Sequence, residues 1–301
     1  MIATWRRFWF SPQSTATLGL VRIAYGALLS VWALSLAPDL ITFYATPGLA
    51  PASASQPVPW RLLWVATPSA VVVVVWMLLL VAALALTVGW RTRLASVVAL
   101  VALSVLHQRN RLVLNSGDDL MRILGIYLML APAGLALSLD RIRHGLPLWH
   151  APRRPLWALR LMQLQISLMY VVTVVYKLVG GWSEGTTMWY VWHLEELQRV
   201  SVLPLVDMWP VAVEVATFAT LLVELALGLL VWVRRLRPWV LLSGAMFHLL
   251  IDATMVVGPF SWAVLVGYLA FVPPETSERL LAAMRARRRE PSALPAPDGY
   301  V

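Results

Sequence analysis

YVVTVVYKLVGGWSEGTTMWY, residues 170–190, is an apolar run that ends on a lysine and opens into a glycine- and tryptophan-rich loop. Read upstream, the apolar character continues to residue 157. A helix rising 1.5 Å per residue over 157–179 is long enough for the roughly 30 Å hydrocarbon core of a bilayer. Lys177 is the only lysine of the chain, since 23 of its 24 basic residues are arginine. An amine can lose its proton when desolvated, whereas a guanidinium stays charged. Lys177 is therefore the candidate catalytic residue.

The rest of the composition agrees with a bilayer setting. Of 301 residues, 60% are hydrophobic and 13% charged, with a mean hydropathy of +0.74. That is too little charge to cover a soluble surface. The formal charge of +9 would suggest nucleic acid in a soluble protein. Here the arginines sit in short clusters between apolar runs, so they read as topology signals, and no nucleic-acid partner is expected. Zero cysteines exclude disulfides, thiol nucleophiles, Cys-ligated zinc, iron–sulfur clusters and covalent c-type haem. Without a second histidine cluster no metal is expected either, and any redox chemistry must come from a bound small molecule.

The length criterion marks eight segments: about 16–37, 65–88, 94–114, 119–137, 157–179, 211–233, 238–256 and 258–273. The expected fold is all-α, a polytopic bundle of about eight spans. The last two segments are short and hinge at Gly258-Pro259, so a re-entrant hairpin is the alternative to two crossings. Charge favours crossing, because every second loop then collects the arginines. By the positive-inside rule both termini are cytoplasmic. Residues 1–15 read as an interfacial N-terminal segment, 16–274 as the membrane domain and 275–301 as a basic, disordered cytoplasmic tail. The external loop 38–64 is expected to be ordered only in part. The second external loop is expected to carry an interfacial helix over about 186–203, with Trp182, Trp189 and Trp192 at headgroup level. The setting expected is the plasma (inner) membrane, with membrane lipids as partners, and the Arg, Ala and Val bias fits a bacterial source.

Ionisable groups inside apolar spans are costly and usually face the bundle interior. Lys177, near the external end of its helix, is either a snorkelling lysine or turned into a pocket. Gln163, Tyr170, Thr173 and Lys177 share one helical face, which favours the pocket. His248 and Asp252, four residues apart, either orient one another along a proton path or form a packing pair. Glu214, Thr217 and Glu224 share a face of the sixth span. Glu214, near its external end, could tune Lys177 or simply complement the helix N-terminus. Asp118 and Asp119, after Asn115, read first as a helix cap. Arg122 and Arg22 should each pair with an acid or a carbonyl inside the bundle.

Several of these segments together resemble a known family. LGLVRIAYG, FYATPGLAP, RNRLVLNSGDDLMRILGIYLMLAPAGLALSLDR, LRLMQLQISLMYVVTVVYKLVGGWSEGTTMWY and FHLLIDATMVVGPFSWAVLVGYLAFVPP appear in the order found in the HTTM (horizontally transferred transmembrane) domain, the membrane part of the vitamin K-dependent gamma-carboxylases. The most specific match is Tyr170, Lys177, Leu178, Trp182 and Gly185. The resemblance implies that Lys177 is a general base on the external side, deprotonating vitamin K hydroquinone or another quinol, so that the oxygenated cofactor can activate a glutamate for carboxylation. It also implies a peptide or protein substrate. Two departures are visible. The carboxylases have a histidine at the start of the fourth span, where this chain reads Asn115-Ser116-Gly117-Asp118, and a large external domain after the spans. These departures motivate the alternative of a non-catalytic membrane protein that binds a lipid or quinone and assists a partner or peptide maturation. Transport would rest on the buried charges alone.

Overall fold

Apolar runs of about 20 residues, interrupted by arginine clusters, form a helical bundle in the computed structural model, which describes residues 2–46, 48–49 and 67–287. The helices are α1 (Ile2–Phe10), α2 (Ala16–Leu36), α3 (Leu40–Tyr44), α4 (Ser69–Val88), α5 (Thr92–Arg109), α6 (Ser116–Leu130), α7 (Leu139–Arg143), α8 (Trp157–Val179), α9 (Thr187–Trp192), α10 (Leu203–Met208), α11 (Val211–Leu229), α12 (Arg237–Thr254), α13 (Phe260–Tyr268) and α14 (Pro274–Arg287). Strands β1 (Pro12–Ser14) and β2 (Arg153–Pro155) form one antiparallel ribbon. By length and composition, four helical stretches among the described residues can cross a membrane: Ala16–Tyr44, Ser69–Val88, Trp157–Val179 and Val211–Trp232. Phe260–Phe271 is a shorter apolar helix.

The core lies where α2, α4, α5, α6, α8 and α13 meet, with Leu18, Tyr25, Leu29, Leu79, Leu103, Met121 and Leu124 fully enclosed. The outer side of α4 is equally apolar, with Val74, Leu78, Val81 and Leu84 exposed. A helix apolar all round belongs in lipid. Close approach of α2 to α4 depends on Gly26, where a Cβ would stand 2.6 Å from the Thr87 backbone nitrogen. Residue 89 turns left-handed to end α4 (φ 72°), a conformation suited to glycine. Asn115 and Asp118 form a reciprocal capping box at the start of α6.

The basic loops meet at one end of the bundle. There β1 pairs with β2, Thr17 Oγ1 lies 2.8 Å from Ser277 Oγ, and Asp140 accepts from the backbone N–H groups of Arg91 and Thr92 at 2.7 and 2.8 Å. At the opposite end Asn110 Nδ2 donates to the Phe43 carbonyl at 2.8 Å, and the Arg199 N–H to that of Thr254 at 2.8 Å.

Two local expectations are corrected. The segment 186–203 is not one helix. It is α9, a 3-10 turn at Glu195–Leu197 and a bridge between Gln198 and Met255, with α10 beginning at Leu203. The chain exchanges helical bonds for pairing with the end of α12, where the Val256 N–H also reaches the Leu197 carbonyl at 2.7 Å. The expected disordered tail from residue 275 is instead helical through its first part, because Pro274–Arg287 is α14. Proline in the first turn and Glu275 beside the N-terminal dipole favour that start. Leu281, 3% exposed, packs in a small cluster with Ala16 and Leu137. Residues 288–301, and most of the loop 38–64, lie outside the described residues.

Candidate functional site

Three helices bring polar side chains against the inward face of α8. Lys177 Nζ donates to Glu224 Oε1 of α11 at 2.6 Å and stands 4.2 Å from the centroid of the Trp182 ring. The Lys177 side chain is 20% exposed and that of Glu224 8%, so the pair is largely withdrawn from the surroundings. Glu224 Oε2 is buried and has no hydrogen-bond partner among the described residues.

Two turns along the same face, the Tyr170 hydroxyl lies 2.7 Å from His248 Nε2 of α12 and 2.5 Å from the Tyr268 hydroxyl of α13. One hydroxyl thus joins three helices. His248 Nδ1 is buried without a hydrogen-bond partner among the described residues, and Phe247 and Phe260 pack edge-on against its ring at 5.2 and 5.5 Å.

The depth of Lys177 follows from the stagger of α8 and α11. Lys177 lies level with Glu224, thirteen residues from Val211, the first residue of α11. At 1.5 Å per residue, α11 continues about 20 Å beyond that level. Residues 185–188 pack along this extension. A Cβ on Gly185 would meet Glu214 Cγ at 3.1 Å, and the Met188 N–H donates to Thr217 Oγ1 at 3.2 Å. α11 and residues 185–188 therefore extend beyond the level of Lys177.

The structure sorts the remaining sequence candidates. Tyr170, Lys177, Trp182 and His248 come together as described. Thr173, half-buried between Tyr170 and Lys177, is on the same face. Gln163 is tied elsewhere, donating to the Ala270 carbonyl at 2.6 Å and accepting from Arg160 at 2.9 Å. Glu214 is exposed beside Gly185, and Glu224 takes the place expected of it. Asp252 does not orient His248, whose Nε2 is bonded to Tyr170. The Asp252 carbonyl instead accepts from Arg199 Nε at 2.9 Å. Asp118 caps α6 through the Asn115 N–H at 2.8 Å. Arg122 pairs with Asp119 one turn earlier on its own helix, while Arg22 donates to the carbonyls of Ala133, Ala136 and Leu137.

Two buried polar side chains are absent from the sequence reading. Tyr268 interrupts an apolar run, the signal that would have identified it. His107, fully buried on α5, lies 3.8 Å from Asp118 Oδ1 and edge-on to Trp32 at 5.5 Å. A histidine inside an apolar span is the same kind of signal. Among the described residues no group of three His, Cys, Asp or Glu side chains could hold a metal ion.

One cavity is a separate feature. It has a volume of about 850 Å³, lies between α2 and α13, and is lined by Leu28, Trp32, Pro259, Trp262 and Leu265 among others. None of its lining residues belongs to the Lys177 cluster.

The family model of the HTTM domain matches residues 10–275. No curated protein and no solved structure matches the chain.

Proposed function

The chain belongs to the HTTM domain family, and from that premise we propose a multi-pass plasma-membrane protein of about eight spans, both termini cytoplasmic, in which Lys177 acts as a general base on a quinol-type substrate. The gathering of the arginine-bearing loops at one end of the bundle supports this topology.

One observation carries the base assignment: Lys177 shares a short contact with a buried carboxylate, away from bulk water. A lysine–glutamate pair can hold its proton on either partner. When Glu224 holds it on Oε2, Lys177 Nζ still donates to Oε1 and keeps a free lone pair, which a general base requires. When Nζ accepts a proton from a substrate hydroxyl, the ammonium formed donates to Glu224 Oε1 and lies against the Trp182 ring. Glu224 Oε2, buried and without a hydrogen-bond partner among the described residues, is the oxygen available to hold the proton of the pair. These groups fit a phenolic hydroxyl on an aromatic ring. A bound quinol such as vitamin K hydroquinone would supply the reducing chemistry that a chain without cysteine lacks. Tyr170, His248 and Tyr268 hold α8, α12 and α13 in register around that position. In this reading a peptide or protein glutamate is the final substrate.

The test is oxidation of a reduced quinone by purified protein. Lys177→Arg keeps the charge but cannot serve as base, and should lower turnover by about 100-fold or more. Unchanged turnover in this variant would overturn the base role.

A second reading is favoured by the 850 Å³ apolar groove, none of whose lining residues belongs to the Lys177 cluster. Here the protein binds a lipid or quinone without transforming it and assists a partner or peptide maturation. Mass spectrometry of protein purified in mild detergent separates the two. Retained isoprenoid quinone with no oxidation supports binding alone, and absence of any retained quinone counts against it.

A further inference from the structure

Four arginines from separate segments line one pocket at the end of the bundle that holds β1 and β2. Arg153 of β2, Arg160 of α8, Arg234 in the turn after α11 and Arg237 at the start of α12 surround about 400 Å³, together with Gln13 of β1. The one carboxylate on the wall belongs to Glu275, an exposed residue in the first turn of α14. Four guanidiniums thus face one carboxylate, and no ion pair among the described residues neutralises any of the four. Arg160 lies in the repulsive field of Arg237 and Arg234.

Two of the guanidiniums are held in place. Arg160 donates one N–H to Gln163 Oε1 at 2.9 Å and lies over the Phe8 ring at 5.1 Å. Arg237 Nε donates to the Val231 carbonyl at 2.9 Å. Each guanidinium carries five N–H donors in a planar fork, so both keep donors uncommitted. Clustered like charges are unfavourable without an anion between them. The fork geometry matches phosphate oxygens in particular.

The surroundings indicate where that phosphate comes from. Phe8 belongs to α1, a short helix with no buried residue that exposes Ile2 at 77%, Trp5 at 62% and Phe10 at 54%. Trp239, in the first turn of α12, is 70% exposed. Apolar and tryptophan side chains of this kind lie at the boundary between headgroups and acyl chains. The arginine pocket is therefore at headgroup depth, where lipid phosphate is abundant.

We propose that this pocket binds the phosphate of an anionic phospholipid in the adjoining leaflet. The site is independent of the Lys177 reading, because it lies at the other end of α8 and shares no residue with that cluster.

The experiment titrates purified protein in neutral detergent with phosphatidylglycerol, phosphatidylcholine or inorganic phosphate and follows the unfolding temperature. Phosphatidylglycerol should raise it saturably, while phosphatidylcholine and millimolar inorganic phosphate should not. The Arg153→Gln/Arg234→Gln variant removes two exposed side chains without hydrogen bonds of their own among the described residues, and should need at least tenfold more phosphatidylglycerol for half the effect. Arg153→Lys/Arg234→Lys, which keeps the charge but loses the fork, should fall between variant and parent. Arg93→Gln/Arg285→Gln removes equal charge elsewhere and should titrate like the parent. Equal titration by the parent and the Arg153→Gln/Arg234→Gln protein overturns the proposal, as does equal weakening by the Arg93→Gln/Arg285→Gln control. A full shift with inorganic phosphate alone overturns the lipid assignment in favour of a soluble phosphate.

Discussion

Lys177 Nζ and Glu224 Oε1 are 2.6 Å apart, with the second oxygen of the carboxylate buried and unbonded among the described residues. Each partner compensates the other's removal from water. Replacing one alone leaves an uncompensated buried charge, which in such pairs costs about 3 kcal/mol. Replacing both removes that penalty. Lys177→Met and Glu224→Gln should each lower unfolding stability in detergent, and the double variant should recover most of the loss. Additive losses would show that the two side chains do not stabilise one another.

Tyr170 bridges His248 and Tyr268, so its hydroxyl satisfies two groups while that of Tyr268 satisfies one. Tyr170→Phe leaves both neighbours short of a partner and should cost about 2 kcal/mol, against about 1 kcal/mol for Tyr268→Phe. Thermal unfolding of the two purified variants ranks them. The reverse order would mean that Tyr170 is not the centre of this network.

Legibility in the sequence ended where helices meet. The 3.6-residue period puts Tyr170 and Lys177 on one face of a single helix, and in the structure that face meets α11, α12 and α13. The same period put Gln163 on that face but could not show that its amide is used by the Ala270 carbonyl. Glu214 and Glu224 were equally eligible as partners of Lys177. The choice between them is set by the axial stagger of α8 and α11, which no pattern within either helix encodes. His248 and Asp252 have the right spacing to interact, yet the rotamer of His248 directs its ring to Tyr170. The all-helical, membrane-spanning character was plain from apolar run length, because backbone satisfaction in lipid leaves few alternatives. α14 escaped notice because its stability comes from contacts with α2 and not from its own apolar content.

Asp140, outside the spanning helices, offers a pH test. Burial alone would raise its carboxyl, but hydrogen bonds from the Thr92 N–H and hydroxyl, each at 2.8 Å, and from the Arg91 N–H at 2.7 Å outweigh it, so the carboxyl lies below its usual range. A folded-state value below the unfolded value of about 3.9 means that the stabilisation is fully present above that pH and is lost as pH falls through the folded value. The unfolding temperatures of parent and Asp140→Asn should differ by a constant amount above about pH 5 and converge on further acidification. A gap of constant size down to pH 3 would contradict this.

Gly26 permits the contact between α2 and α4. An added Cβ would be 2.6 Å from the Thr87 nitrogen and 3.0 Å from the Ala83 carbonyl, both of them backbone atoms that cannot rotate aside. The helices must separate, and Gly26→Ala should lose about 1–3 kcal/mol despite alanine's better helix propensity. A neutral or stabilising result in thermal unfolding would mean that the two helices are not in this close contact.

The absence of cysteine from the chain makes the proposed topology of about eight spans open to direct measurement, since any thiol introduced is the only one present. Arg235 follows α11 in an arginine cluster, whereas Glu184 and Glu196 lie in the loop region between α8 and α11, and all three side chains are exposed. If the arginine-rich end is cytoplasmic, Glu184→Cys and Glu196→Cys in intact cells should react with a membrane-impermeant maleimide. Arg235→Cys should react only after the membrane is opened. If α11 crosses once between these positions, their labelling is opposite whatever the overall orientation. Equal labelling of Arg235→Cys and Glu196→Cys would remove α11 from the spans, and reversed labelling would keep the spans but invert the orientation.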